Sequence, residues 1–171
     1  RSISCAFLSR MLRAGSGAEN ALKMLNGFLA ARGRRENESS TTVDLLEIDH
    51  VSGEGRLYKC GAAPTLLLRG GEVTSFFSRT APVGILESLD AERIRVELKP
   101  GDVLVQVSDG VSGGGERCPW LEKMLAEKWD GEAEKFARQV LGRAAAQSKD
   151  DLSVAVTELR AAPSSAGAPA A

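Results

Sequence analysis

The sequence predicts a single layered α+β domain. Three observations predict it: a pair of amphipathic helices at the start, about six short strand-like segments joined by tight turns, and two more helices ahead of a last strand. A length of 171 residues is that of one ordinary domain and buries a core without disulfide staples. The short connections favour antiparallel pairing over a nucleotide-binding sheet whose every strand crosses over through a helix.

Ile3, Phe7 and Met11, with Leu8 and Leu12 beside them, recur at helical spacing and predict a helix over 3–13 that ends near Gly15. Ser16 and Glu19 have capping-box spacing. Behind them Leu22, Leu25 and Leu29, widened by Met24 and Phe28, predict a second helix to about Ala31. Residues 33–40 are polar and read as a surface loop. Residues 42–48 are β-rich, 49–53 turn-like, and 56–60 return antiparallel. Residues 65–68 and 73–77 flank Gly70-Gly71, a pair suited to a tight hairpin. Residues 93–98 and 102–108 are joined by Lys99-Pro100-Gly101. Pro119 opens a short helix through Leu125, and Asp130 caps a longer one burying Phe136, Val140 and Ala144. Residues 152–157 form the last strand, expected beside 102–108 in a sheet interior. The late helices then cover one face, with the early pair set against that same face. The domain spans 1–160, and the Ala/Pro/Ser-rich 161–171 reads as a flexible tail.

With 22 basic and 23 acidic side chains the formal charge is -1, which gives no overall pull towards nucleic acid or an anionic bilayer. Cys5, Cys60 and Cys118 are odd in number and form no CxxC pair, so neither a disulfide framework nor a structural zinc site is indicated, and a cytoplasmic, reducing compartment is expected. Apolar runs fall short of the roughly 20 residues of a membrane span, and no signal peptide is visible. The chain begins at Arg1 inside a predicted helix and reads as a fragment, so a membrane segment is left to sequence upstream. His50 stands alone in a turn. Cys60 reads as a small buried side chain, and Cys118 has no nearby histidine to activate it. Asn37-Glu38-Ser39 is formally a glycosylation sequon. Ser112-Gly113-Gly114-Gly115 lacks the context of a phosphate-binding loop and reads as a mobile loop close enough to Asp109 to act as a flap. Arg10, Arg13, Arg32, Arg34 and Arg35 give the front end a basic tilt, as a solvated surface or as a docking face for an acidic partner or another subunit.

Chemistry points to two acidic strand ends. Val103, Val105 and Val107 share one face, and continued strand geometry places Asp109 on it; Leu152, Val154 and Val156 share a face with Asp150. If the strands are antiparallel neighbours, Asp109 and Asp150 meet at one rim. Two carboxylates in a partly buried place repel each other unless a cation compensates, and Mg²⁺ or Mn²⁺ is the natural compensator. Ser-Asp-Gly is equally an ordinary turn and Asp-Asp an ordinary solvated strand cap, so pattern alone leaves both readings open.

Val107-Ser108-Asp109-Gly110, followed about forty residues later by Asp150-Asp151-Leu152-Ser153-Val154-Ala155-Val156, resembles the last two metal-binding motifs of the PP2C-type metal-dependent protein serine/threonine phosphatases, most closely the bacterial branch typified by SpoIIE. Lys59-Cys60-Gly61-Ala62-Ala63-Pro64, Leu67-Leu68-Arg69-Gly70-Gly71, Ala81-Pro82-Val83-Gly84 and Leu98-Lys99-Pro100-Gly101-Asp102 resemble that branch's other signatures, in the same order. The resemblance implies an α-β-β-α sandwich, two Mn²⁺ or Mg²⁺ ions in the complete domain, and a phosphoserine or phosphothreonine protein as substrate. In this branch the substrate is an anti-anti-sigma factor. It implies Asp109 and Asp150 as metal ligands, Gly110 as the turn that exposes Asp109, Asp151 as adjacent support, and Ser153 in a position where threonine is common. It also implies an upstream Asp-Gly motif carrying the bridging carboxylate, ahead of Arg1, so that the N-terminal strands are missing. The resemblance links the early helices to switching between inactive and active forms, and Ile3, Phe7 and Phe28, left exposed if upstream strands are absent, lead to an expected homodimer through the N-terminal helices. A non-catalytic, partner-binding relative is the alternative function.

Overall fold

The computed structural model describes residues 3–36, 40–89 and 91–161. Two antiparallel sheets face each other, one ordered β1-β2-β5 and the other β4-β3-β6-β7. The first holds β1 (Val43–Ile48), β2 (Glu54–Cys60) and β5 (Glu92–Glu97). The second holds β3 (Thr65–Arg69), β4 (Glu72–Phe76), β6 (Val103–Val107) and β7 (Val154–Glu158). Strand alternation gives each sheet two apolar faces. Leu57, Val96 and Leu98 meet Leu67 and Leu104 between the sheets. Outside the first sheet, Val43, Tyr58 and Cys60 pack on Leu22, Leu25 and Leu29 of α2 (Ala18–Glu36), with Phe7, Leu8 and Leu12 of α1 (Ile3–Arg13) alongside. Outside the second, Leu66, Leu68, Val103 and Val105 meet Leu121 and Leu125 of α4 (Pro119–Lys128) and Phe136 and Val140 of α5 (Ala133–Ala145). The result is the α-β-β-α sandwich, in which the early helices cover the face opposite the late ones and not the same face. Both sheets have helix-covered outer faces because their strands are apolar on both sides.

Other local expectations shift for physical reasons. The second helix runs on to Glu36 because each of its two internal glycines, Gly27 and Gly33, costs only about 1 kcal/mol against a 19-residue element; the Asn37-Glu38-Ser39 sequon and residues 162–171 lie outside the described residues. The Ser16 capping box does not form: the carbonyl of Gly17 takes the first α2 bond, from Ala21, and the Glu19 carboxylate turns to Lys23 at 2.8 Å. Asp130 is not the cap of α5, which has Glu132 at that position; it accepts the Glu132 amide and pairs with Lys135. The hairpin is as expected, with Arg69 opposite Glu72 and both Gly70 and Gly71 at positive φ. β7 pairs with β6 but sits at the sheet edge, and it begins at Val154 rather than at 152.

Two polar clusters lock this frame. Asp102, 2% exposed, accepts both arms of the Arg69 guanidinium at 2.8 and 2.5 Å and the Lys99 amide at 2.8 Å. Burial pushes its carboxyl up, but the Arg69 fork and the Lys99 amide outweigh it, and the net shift is downward from 3.8. A depressed carboxyl contributes stability in full above its unfolded value and loses it as pH falls through the folded one. In urea denaturation, the advantage of wild type over Asp102→Asn should therefore be constant from pH 7 to about 5 and shrink below that. An advantage that grows on acidification would contradict the assignment. The second cluster lies between the sheets. The Lys59 ammonium, fully buried, donates to Asp44 Oδ2, the Ala63 carbonyl and Thr65 Oγ1, each at 2.8 Å, and the Thr65 hydroxyl donates to the same Asp44 oxygen at 2.5 Å. It joins β1 and β2 of one sheet to β3 of the other.

Candidate functional site

β6 and β7 end together at one rim, where Val107 faces Val154. Ser108 extends the pairing by three bonds. Its amide donates to the Ser153 carbonyl at 3.0 Å, its hydroxyl donates to the Asp151 carbonyl at 3.1 Å, and that hydroxyl accepts the Ser153 amide at 3.0 Å. The chain around Asp109 is thereby held against residues 150–153. Asp109 does not continue the strand, as parity predicts. It opens α3 (Asp109–Ser112), because the amides of Val111 and Ser112 fold back onto the Ser108 carbonyl, and Gly113 closes the turn at φ 76°.

Gly110 has another role than the expected turn. Its φ is not positive, and a Cβ there would lie 2.5 Å from the Asp151 carbonyl oxygen and 3.2 Å from the Asp150 Cβ. Glycine is needed so that the two acidic segments can approach. Asp151 and Ser153 contribute through their backbones, to Ser108, and no hydrogen bond of their side chains is present among the described residues.

Asp109 and Asp150 do come to one place: both line a cavity of about 510 Å³, together with Gly110 to Gly114, Trp120, Ala144, Gln147 and Ser148. Both are exposed rather than partly buried. Each ties one oxygen to a main-chain amide, Asp109 Oδ1 to Gly110 at 3.0 Å and Asp150 Oδ1 to Asp151 at 2.8 Å. The second oxygen of each points to no hydrogen-bond partner among the described residues. Hard oxygen donors of this kind suit Mg²⁺ or Mn²⁺, and Mg²⁺ commonly takes only one or two carboxylates from a protein and keeps several waters. The pair therefore fits such an ion. Among the described residues no group of three or more His, Cys, Asp or Glu converges, so a two-ion centre needs ligands beyond these two.

The remaining candidates fall away. Burial pushes the Cys60 thiol up to about 11 and raises that of Cys118, neither of which then supplies thiolate near neutral pH. His50 is exposed in the β1–β2 turn, where the Asp49 carboxylate accepts the Val51 and Ser52 amides. Pattern reading missed Ser108, Trp120, Gln147 and Ser148. Ser108 carries one usable signal, a hydroxyl residue between strand and acid; Trp120 comes from α4, and Gln147 and Ser148 from the turn between α5 and Asp150, whose fold-back onto the rim no local period announces.

The other sequence signatures also have structural reasons. A Cβ on Gly61 would lie 2.7 Å from the Pro82 ring, so the loop carrying Gly61-Ala62-Ala63-Pro64 and that carrying Ala81-Pro82-Val83-Gly84 are packed together. The Gly84 amide donates to Asn26 Oδ1 at 2.8 Å, tying the second loop to α2.

The family model of stage II sporulation protein E (SpoIIE) matches residues 2–160. Stage II sporulation protein E of Bacillus subtilis is 26% identical over 160 residues, covering 89% of this chain and 19% of that protein. Its counterpart in Priestia megaterium is 26% identical over 161 residues, covering 90% and 27%. The chain thus spans about a fifth to a quarter of the length of these relatives. Among solved structures, the Mn-presoaked phosphatase domain of SpoIIE from B. subtilis is 25% identical, with a TM-score of 0.66 over 100% of this chain and 79% of that one. A PPM Ser-Thr phosphatase of Mycobacterium smegmatis, at 17% identity, shares the fold alone, with a TM-score of 0.74 over 91% of this chain and 80% of that one. Matched over nearly its whole length and built as the same sandwich, the chain belongs to the stage II sporulation protein E family.

Proposed function

We propose that this chain forms the phosphatase part of a metal-dependent protein serine/threonine phosphatase that hydrolyses a phosphoserine or phosphothreonine on a regulatory protein, with an anti-anti-sigma factor as the substrate class. The observation that carries the reading is the convergence of Asp109 and Asp150 on one cavity, locked by Ser108 and permitted by Gly110. Family membership supports it. A bound Mn²⁺ or Mg²⁺ supplies polarisation of a phosphoryl oxygen and activation of water near neutral pH. Asp109 and Asp150 are the residues that would hold such an ion, and the Gly110 and Asp151 amides fix each carboxylate through one oxygen. Gly113 and Gly114, both at positive φ, also line the cavity. Ile3 and Phe28 on the early helices are 50% and 38% exposed, and Phe28 stacks on Phe7 at 5.6 Å; these side chains support a proposed homodimer or partner contact there. No helix among the described residues is long and apolar enough to cross a membrane.

The full-length protein is expected to release phosphate from a phosphoserine protein in Mn²⁺ or Mg²⁺ and to stop when the ion is chelated. Turnover that survives chelation would sink the mechanism. Tight phosphoprotein binding without turnover would favour the non-catalytic alternative.

A further inference from the structure

The cavity has a wall that the two carboxylates do not explain. Trp120, in the first turn of α4, lines it, and Arg143, in the last turn of α5, lays its guanidinium over the Trp120 ring with Cζ 4.9 Å from the centroid. Arg143 is exposed and has no carboxylate partner among the described residues, whereas Arg117 nearby is paired with Glu122. A guanidinium stacked on an indole keeps its charge and its in-plane donors while losing part of its freedom, which favours directed binding of an oxyanion. The charged side chains that line the cavity are both acidic, Asp109 and Asp150; Arg143 is not part of the lining but stands next to it, stacked on Trp120 and adjacent in the chain to Ala144, both of which line it.

Resting on the phosphatase reading, we infer that Arg143, held by Trp120, is a specificity-determining residue that receives a carboxylate flanking the phosphorylated residue of the incoming protein. Asp109 and Asp150, as the residues that would hold the ion, serve every substrate alike; Arg143 adds selection among substrates. The guanidinium is exposed, so its removal leaves the core intact.

The experiment uses the full-length protein with Mn²⁺ and three substrates: p-nitrophenyl phosphate, a phosphoserine peptide flanked by glutamates, and the same peptide flanked by alanines. KM and kcat are measured for wild type, Arg143→Gln and Arg143→Lys, with Kd for both peptides from fluorescence anisotropy. Arg143→Gln should raise KM and Kd for the glutamate-flanked peptide by about tenfold or more at unchanged kcat, and Arg143→Lys should recover part of the loss. A rise confined to that peptide supports the assignment; an equal rise for all three substrates, which shows no selection among them, overturns it. Unchanged KM and Kd throughout, or a fall in kcat alone, overturns the inference. If wild type turns over none of the three, the phosphatase reading fails, and the Kd comparison still decides the role of Arg143.

Discussion

Asp109→Asn and Asp150→Asn, each made in the full-length protein, should lower metal-dependent phosphate release by more than about 100-fold, since loss of a mere outer-shell partner of a metal site already costs 10- to 100-fold. Asparagine keeps the shape and the oxygen that accepts the neighbouring amide but removes the negative charge that holds a hard cation. Because both residues are exposed and their hydrogen bonds are local, the free energy of unfolding should stay within about 0.5 kcal/mol of wild type. This combination separates a ligand from a structural cap. A variant that keeps its activity would remove that residue from the proposed centre, and one that unfolds would make it a structural residue instead.

Lys59→Met should cost about 3–5 kcal/mol in urea denaturation, the expected loss when one partner of a buried ion pair is removed. Burial pushes the Lys59 ammonium below the ordinary lysine range, and Asp44 pulls it partway back. Asp44 Oδ1 is buried and unpartnered, so the substitution would leave a carboxylate with the Thr65 hydroxyl alone. Replacing the cluster as a whole, Lys59→Met with Asp44→Leu and Thr65→Val, should recover most of the loss, because an apolar replacement of similar volume is often neutral. The cluster also lies under the rim: Thr65 pairs with Gln106, three residues ahead of Asp109, and Gln106 Nε2 donates to the Asp44 carbonyl at 3.3 Å. A cost below about 1 kcal/mol for Lys59→Met would contradict the reading of a network.

The strand segments, the Gly70-Gly71 hairpin and the apolar helix faces were legible because each rests on a local period or turn, whereas the division of the strands between two sheets, with β5 and β6 apart and β7 at an edge, rests on no local signal. Which sheet face the early helices cover was not, since strands apolar on both sides do not say which helix lies where. Strand parity brought Asp109 and Asp150 to one rim, yet it failed on the local conformation, because α3 nucleates on the Ser108 carbonyl within one residue of the strand end. Gly110 shows the same limit: a glycine after an aspartate reads as a turn, while its need here is set by Asp150 and Asp151 forty residues on. Lys59 was opaque because a lysine near a strand end reads as solvent-facing. Only the opposing sheet, which supplies Thr65, makes it a core residue.

The most direct test of a shared centre is a double-mutant cycle on Asp109 and Asp150, reading the Mn²⁺ concentration for half-maximal phosphate release and kcat/KM in each single variant and in the double. Residues that act as one unit are grossly non-additive. The double variant should therefore be little worse than either single. Losses that multiply would show two independent sites and contradict the proposed centre.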